Sequence, residues 1–187
     1  CYVSARETES ESKETISPER CLLYRKDILD FIEKSFKQFT GVNISLAIFD
    51  KNCDLLKAYT NCHLIANYTG TNWSENIVGT NAVDLALKYG KSFTVVGDQH
   101  YAQFLHSLSC YASPVILSEE VVGVIAIFIP KDCNNIFVEV LLNVIVKNVE
   151  AVIQTNQYKK KVNDQIYWGQ AIIDTIFEGI YSIDKEG

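Results

Sequence analysis

Residues 110–129, CYASPVILSEEVVGVIAIFI, decide the reading of the fold. Residues 110–117 and 120–129 are two β-rich runs around the polar pair Ser118-Glu119, the pattern of a hairpin. The second run is apolar on both faces, as a central strand is, and Pro130 stops it. Downstream, Asn134 or Asn135 is placed to cap a long helix. Glu139, Asn143, Lys147 and Glu150 form one narrow polar stripe on it, and nearly everything else up to Ile153 is apolar. That predicts burial on two sides. The pattern turns polar over 154–161 and continues with Val162, Ile166, Ile173 and Ile176. Unbroken over 135–175, such a helix is about 60 Å long, the length of a connector. Residues 179–184, GIYSID, then predict a new strand, followed by the turn signal DKEG.

Upstream of the hairpin, 92–96 reads as a strand stopping at Gly97, and 79–90 as a short helix ending at Gly90. Residues 98–109 carry no clear period beyond a helical turn, and 61–78 is loop-like. Residues 43–50 and 54–60 form an earlier hairpin about Lys51-Asn52. Ser17-Pro18 reads as an N-cap and first helical position. From there Leu22, Leu29, Ile32, Phe36 and Phe39 mark an amphipathic helix ending at Gly41. Residues 1–16 are a polar, mobile arm. The order predicts an α+β domain, an antiparallel sheet with N- and C-terminal helices on one face and loops over the other. The organisation is an arm (1–16), a domain (17–155), a helical linker (156–177) and the start of a second domain (178–187). Beginning at Cys1 and lacking Met, the chain reads as a piece of a longer product.

The composition excludes several classes. With a net charge of −6, the region lacks the clustered Lys/Arg that direct nucleic-acid contact needs. No apolar stretch approaches the ~20 residues of a membrane span, and no signal peptide is visible. The six Cys lie too far apart for a Cys-x-x-Cys pair. Scattered thiols fit a cytoplasmic protein. Gly90-Lys91-Ser92 lacks the upstream Gly of a phosphate-binding loop.

Residues 70–82, GTNWSENIVGTNA, with Asp98-Gln99-His100-Tyr101 and Cys110-Tyr111-Ala112-Ser113-Pro114-Val115, resemble the N-terminal GAF domain of sigma-54-dependent transcriptional activators. The acetoin catabolism activators are the nearest subgroup. The resemblance covers roughly residues 20–155. Residues 171–187, AIIDTIFEGIYSIDKEG, resemble the opening of a PAS domain. Two departures stand out: Gln99 occupies the place of the subgroup's Glu, and Ser118-Glu119-Glu120 that of its Asp-Pro-x-Gly. The resemblance implies a GAF-like sensory region, itself not an enzyme, that binds a small-molecule effector between sheet and loops. DNA and RNA polymerase contacts would then belong to domains downstream of this chain. Alternatives are the sensory input of a histidine kinase or other signalling enzyme, or a ligand-free dimerisation module.

Independently of family, Trp73, Glu75, Asn81, His100, Tyr101 and Cys110 offer an aromatic wall, a carboxylate, an amide, an imidazole and a thiol. That mix suits a pocket orienting a small polar metabolite. A core anchor (Trp73) and a helix cap (Asn81) are the structural readings of the same residues. Free N–H groups at Gly79-Thr80-Asn81 would favour an anionic effector. His100, His106 and Cys110 match no standard metal spacing, so neither a cofactor nor a tightly bound metal is expected. Cys110 with His100 as nucleophile and base is the one legible catalytic alternative. Finally, Leu141, Val144, Ile145, Val149 and Val152 present more apolar surface than one sheet face covers. They predict a parallel homodimer through the helices at 20–39 and 135–175.

Overall fold

In a computed structural model, residues 21–39, 42–60, 65–133 and 135–186 are described. The arm and the Ser17-Pro18 cap lie outside them. The strands β1 (Ser45–Asp50), β2 (Leu55–Thr60), β3 (Phe93–Val96), β4 (Leu108–Leu117) and β5 (Glu120–Pro130) form one sheet, ordered β2-β1-β5-β4-β3. Every neighbouring pair is antiparallel. The β4–β5 hairpin turns at Ser118 and Glu119, both at positive φ (51° and 69°). This sense of turn matches the twist of paired strands. β3 stops at Phe93 opposite Ala112, so Pro114 sits where β4 has a neighbour on one side only. Its missing N–H is tolerated there. In the β1–β2 turn, Asp50 Oδ1 accepts from the N–H groups of Asn52 (2.8 Å) and Asp54 (2.9 Å).

Side chains alternate across the sheet and fill two cores. Leu46, Ile48, Ile125 and Ile127 meet α1 (Lys26–Phe36) and the first half of α4 (Ile136–Glu186) on one face. Ala47, Phe49, Ala126 and Phe128 meet α3 (Ala82–Tyr89) and the covering loops on the other. The α+β class and the division of helices and loops between the faces are as expected. No helix among the described residues is long and apolar enough to cross a membrane.

Four expectations are corrected. The helix expected through Leu22 and on to Gly41 is shorter. Leu22–Tyr24 is a 3-10 turn, Arg25 is extended (ψ 142°), and α1 ends at Phe36. The run 179–184, expected as a strand, continues α4 to Glu186. A strand needs a neighbour to take its backbone groups, whereas a helix satisfies them within itself. Glu150, assigned to a solvent-facing stripe, is only 6% exposed. The β4–β5 register shifts at Val115/Ile116, and Glu150 Oε1 accepts the Ile116 N–H (2.8 Å) while Oε2 takes Lys147 Nζ (2.7 Å). Ile145 and Val149, assigned to a dimer surface, are buried within this chain's own core.

Candidate functional site

Over the face opposite α1 and α4 lie two covering segments. The first carries a 3-10 turn (Ala66–Tyr68) and the single-turn helix α2 (Glu75–Val78). The second carries 3-10 turns at Gly97–Gln99 and Gln103–Leu105. The unpatterned 98–109 stretch is therefore two short turns and a strand start. The segments are joined where the Tyr101 N–H donates to Thr80 O (3.2 Å).

Trp73 anchors the first segment. It is 1% exposed, with Phe49 and Phe128 of the sheet against its ring (centroids 5.5 and 5.6 Å). On its outer side Tyr68 and Phe104 stand edge-on to the indole, interplanar 90° and 85°, and stack on each other at 5.1 Å. The indole N–H is satisfied by Thr71 Oγ1 (3.0 Å). Between these rings, Ile77 and Tyr101 opens a mostly apolar cleft of about 350 Å³. Tyr101 is held beside it by contact with Gly79, whose φ of +75° and missing Cβ leave room for the ring.

The other sequence-predicted residues are distributed differently. Asn81 is wholly engaged: Oδ1 accepts from the N–H groups of Val83 (3.0 Å) and Asp84 (3.1 Å), and Nδ2 donates to Trp73 O (2.9 Å) and Gly79 O (2.8 Å). It caps α3 and ties it to the Trp73 loop. Of the N–H groups expected to meet an anion at Gly79-Thr80-Asn81, that of Gly79 donates to Glu75 O (2.9 Å), and Asn81 takes those of Val83 and Asp84 just beyond. The Ala82 N–H points at the Cys110 sulfur. Glu75 pairs with Lys88 (3.4 Å) and lines a separate hollow of about 440 Å³ with Lys51, Cys53 and Asp84. Cys110 is 1% exposed, and burial pushes its thiol pKa far above the ordinary value.

His100 is 2% exposed; its Nδ1 bonds Gly97 O (3.0 Å), and Nε2 is buried with no partner among the described residues. Burial lowers its pKa below 6.5, only partly opposed by the Gly97 bond. Neither ring nitrogen engages the Cys110 thiol, so these two residues do not form an activated nucleophile pair. Among the described residues no group of three or more His, Cys, Asp or Glu is arranged to hold a metal ion.

The structure thus brings Trp73 and Tyr101 to one cleft and sets Glu75, Asn81, His100 and Cys110 apart from its walls. Sequence reasoning missed Tyr68, Ile77 and Phe104. Their one signal was large apolar side chains in segments otherwise polar and loop-like.

Comparison with known proteins agrees with this architecture. A family model described as GAF domain matches residues 8–153. No curated protein matches the chain. Among solved structures, the Escherichia coli DhaR(N)–DhaL complex superposes with a TM-score of 0.70 at 22% identity, over 76% of this chain and 52% of that one. The chain therefore spans about half the length of that neighbour. A GAF domain/HD domain protein from Geobacter sulfurreducens gives 0.51 at 11% identity, over 69% and 91%. Free methionine-R-sulfoxide reductase from Neisseria meningitidis, solved with its substrate, gives 0.50 at 13%, over 81% and 97%. At these identities the likeness is one of fold.

Proposed function

Since the chain belongs to the GAF domain family, we propose that it is the cytoplasmic, effector-sensing N-terminal region of a bacterial sigma-54-dependent transcriptional activator. It carries no catalysis of its own and signals through α4, paired with a second copy, toward a PAS domain beginning near residue 178. The sequence block from Trp73 to Ala82 supports the activator assignment. The observation that carries the sensory reading is the cleft over Trp73, closed by stacked Tyr68 and Phe104 and rimmed by Tyr101. Its walls are aromatic, where a set of polar groups was expected. They fit a small ligand that presents a flat or apolar face to the rings and keeps its polar groups at the mouth.

Thermal unfolding against a panel of diols, organic acids, amino acids and aromatic acids tests this, in a Trp168→Phe background so that Trp73 alone reports by fluorescence. A ligand of the site raises Tm by several degrees and changes Trp73 emission, and Phe104→Ala removes both effects. A stabiliser that acts equally on Phe104→Ala, or the lack of any stabiliser, overturns the assignment.

One observation favours a second reading. Tyr101 and Ile77 at the rim are 79% and 61% exposed, more than a small ligand needs. A protein partner docking there, as DhaL does somewhere on DhaR(N) in the solved complex, would be weakened by Tyr101→Ala with no small-molecule stabilisation to lose.

A further inference from the structure

Tyr101 is held differently from the other rings of the cleft over Trp73. It stands in a three-residue bridge, His100 to Ala102, between the two 3-10 turns of the second covering segment. On either side the chain is anchored in the interior, by His100 and by Leu105, both buried. The Tyr101 ring is largely exposed, so burial contributes little to holding it. Two contacts seat the residue: its N–H donates to Thr80 O (3.2 Å), and its ring lies on Gly79. A Cβ at position 79 would stand 2.4 Å from Tyr101 Cβ and Cδ1 and 2.5 Å from Cγ. Carbon atoms in ordinary contact lie about 3.5–4.0 Å apart, so any side chain at 79 would push the ring away. Phe104, by contrast, stacks on Tyr68 and meets the indole edge-on.

We propose that Tyr101 controls access to the Trp73 cleft, and that Gly79 is the positioning residue that seats it there. The proposal rests on reading the cleft as the effector site and names the residues that set what enters it. Seated on Gly79, the ring forms the wall where the two covering segments meet. Lifted away, it leaves that side open beside Ile77 and the indole. Lifting Tyr101 strips little apolar surface of its contacts, whereas moving Phe104 would break a stack packed against buried Trp73. Tyr101 is therefore the wall that moves and Phe104 the wall that stays. A ligand that packs against the seated ring favours that position over the lifted one, and a ligand too large for the closed cleft does not. Glycine at 79 serves twice. Its φ of +75° with ψ of −167° is a backbone conformation essentially confined to glycine, and its missing Cβ is the seat of the ring. This gives the Gly79-Thr80 pair of the 70–82 block a role apart from the capping done by Asn81.

The test measures acrylamide quenching of Trp73 in the whole chain carrying Trp168→Phe, where Trp73 is the single tryptophan. Tyr101→Ala is expected to raise the quenching constant severalfold, and Tyr101→Phe, which keeps the ring, to leave it as in the parent. Gly79→Ala is expected to raise it as Tyr101→Ala does. Gly79→Ala combined with Tyr101→Ala is expected to go no further than Tyr101→Ala alone, since no ring is left to displace. Unchanged quenching in Tyr101→Ala or an equal rise in Tyr101→Phe overturns the proposal. So does an additive double variant, which would mean that Gly79→Ala loosens the loop by backbone strain alone. Should Gly79→Ala fail to fold by circular dichroism, recovery of the fold in the double variant supports the seat, and failure of both overturns it. Quenching needs no ligand, so its failure removes the role of Tyr101, whereas failure of the ligand panel removes the effector site.

Discussion

His100 is held neutral by its surroundings. Gly97 O can only accept, so the proton sits on Nδ1, and Nε2 keeps a bare lone pair in the interior. Protonation would place an N–H there with nothing to receive it, and a charge where water is excluded. The folded pKa is therefore below the ordinary 6.5. The neutral form is the one the fold favours, so this residue's contribution is complete above about pH 6.5. It is lost progressively as pH falls below that value toward the lowered folded pKa. Because His100 O also accepts from His106 Nε2 (2.9 Å), the loop carrying Tyr101 and Phe104 should loosen with it. Between pH 7 and pH 5 the wild-type Tm is expected to fall more steeply than that of His100→Gln, which has no charge to gain. Parallel slopes for the two proteins would show that His100 does not supply the acid sensitivity.

Among elements, α3 shows how a side chain read as a ligand contact serves instead as a joint. Asn81 occupies the capping position before Ala82 and spends its amide on the loop from which Trp73 hangs. Asn81→Ala removes a cap worth about 1–2 kcal/mol and strands two carbonyls besides. The domain should lose roughly 2 kcal/mol, about 5 °C in Tm. Asn81→Asp, which keeps the cap and loses the two donors, should fall between. An alanine variant as stable as wild type would mean the joint contributes little. The sequence signal for α3 was strong because its cap, its apolar spacing and its terminating Gly90 (φ +63°) agree with one another. The two hairpins were legible for the same reason, with turn residues and alternation coinciding. The Tyr68–Phe104 stack was not legible, because nothing local says which loop aromatics meet across 36 residues. Nor was the burial of Glu150, which depends on a register shift in a strand far away in sequence.

In the whole molecule, α4 divides into two parts with different duties. Up to Ile153 it is core; beyond, Asn156 Nδ2 donates to Asp27 of α1. From Gln157 to Ile176 no described side chain is buried. Over that stretch the body lends the helix no packing, and in the proposed pairing a second copy would supply it. The consequence reaches stability. A dimer that forms only from folded chains makes Tm rise with protein concentration, by mass action. For the full chain, Tm should climb by a few degrees between about 1 and 100 µM, since each tenfold in concentration favours the assembled fold. A chain ending at Gln157 keeps both cores, so it should still unfold cooperatively. It should show less helix and a Tm that depends much less on concentration, because half of the proposed α4 pairing is gone. Melting the two chains side by side over that range decides the point. Cooperative unfolding lost on truncation would place the distal helix in the core. Equal concentration dependence in both would confine the pairing to the stretch of α4 before Gln157.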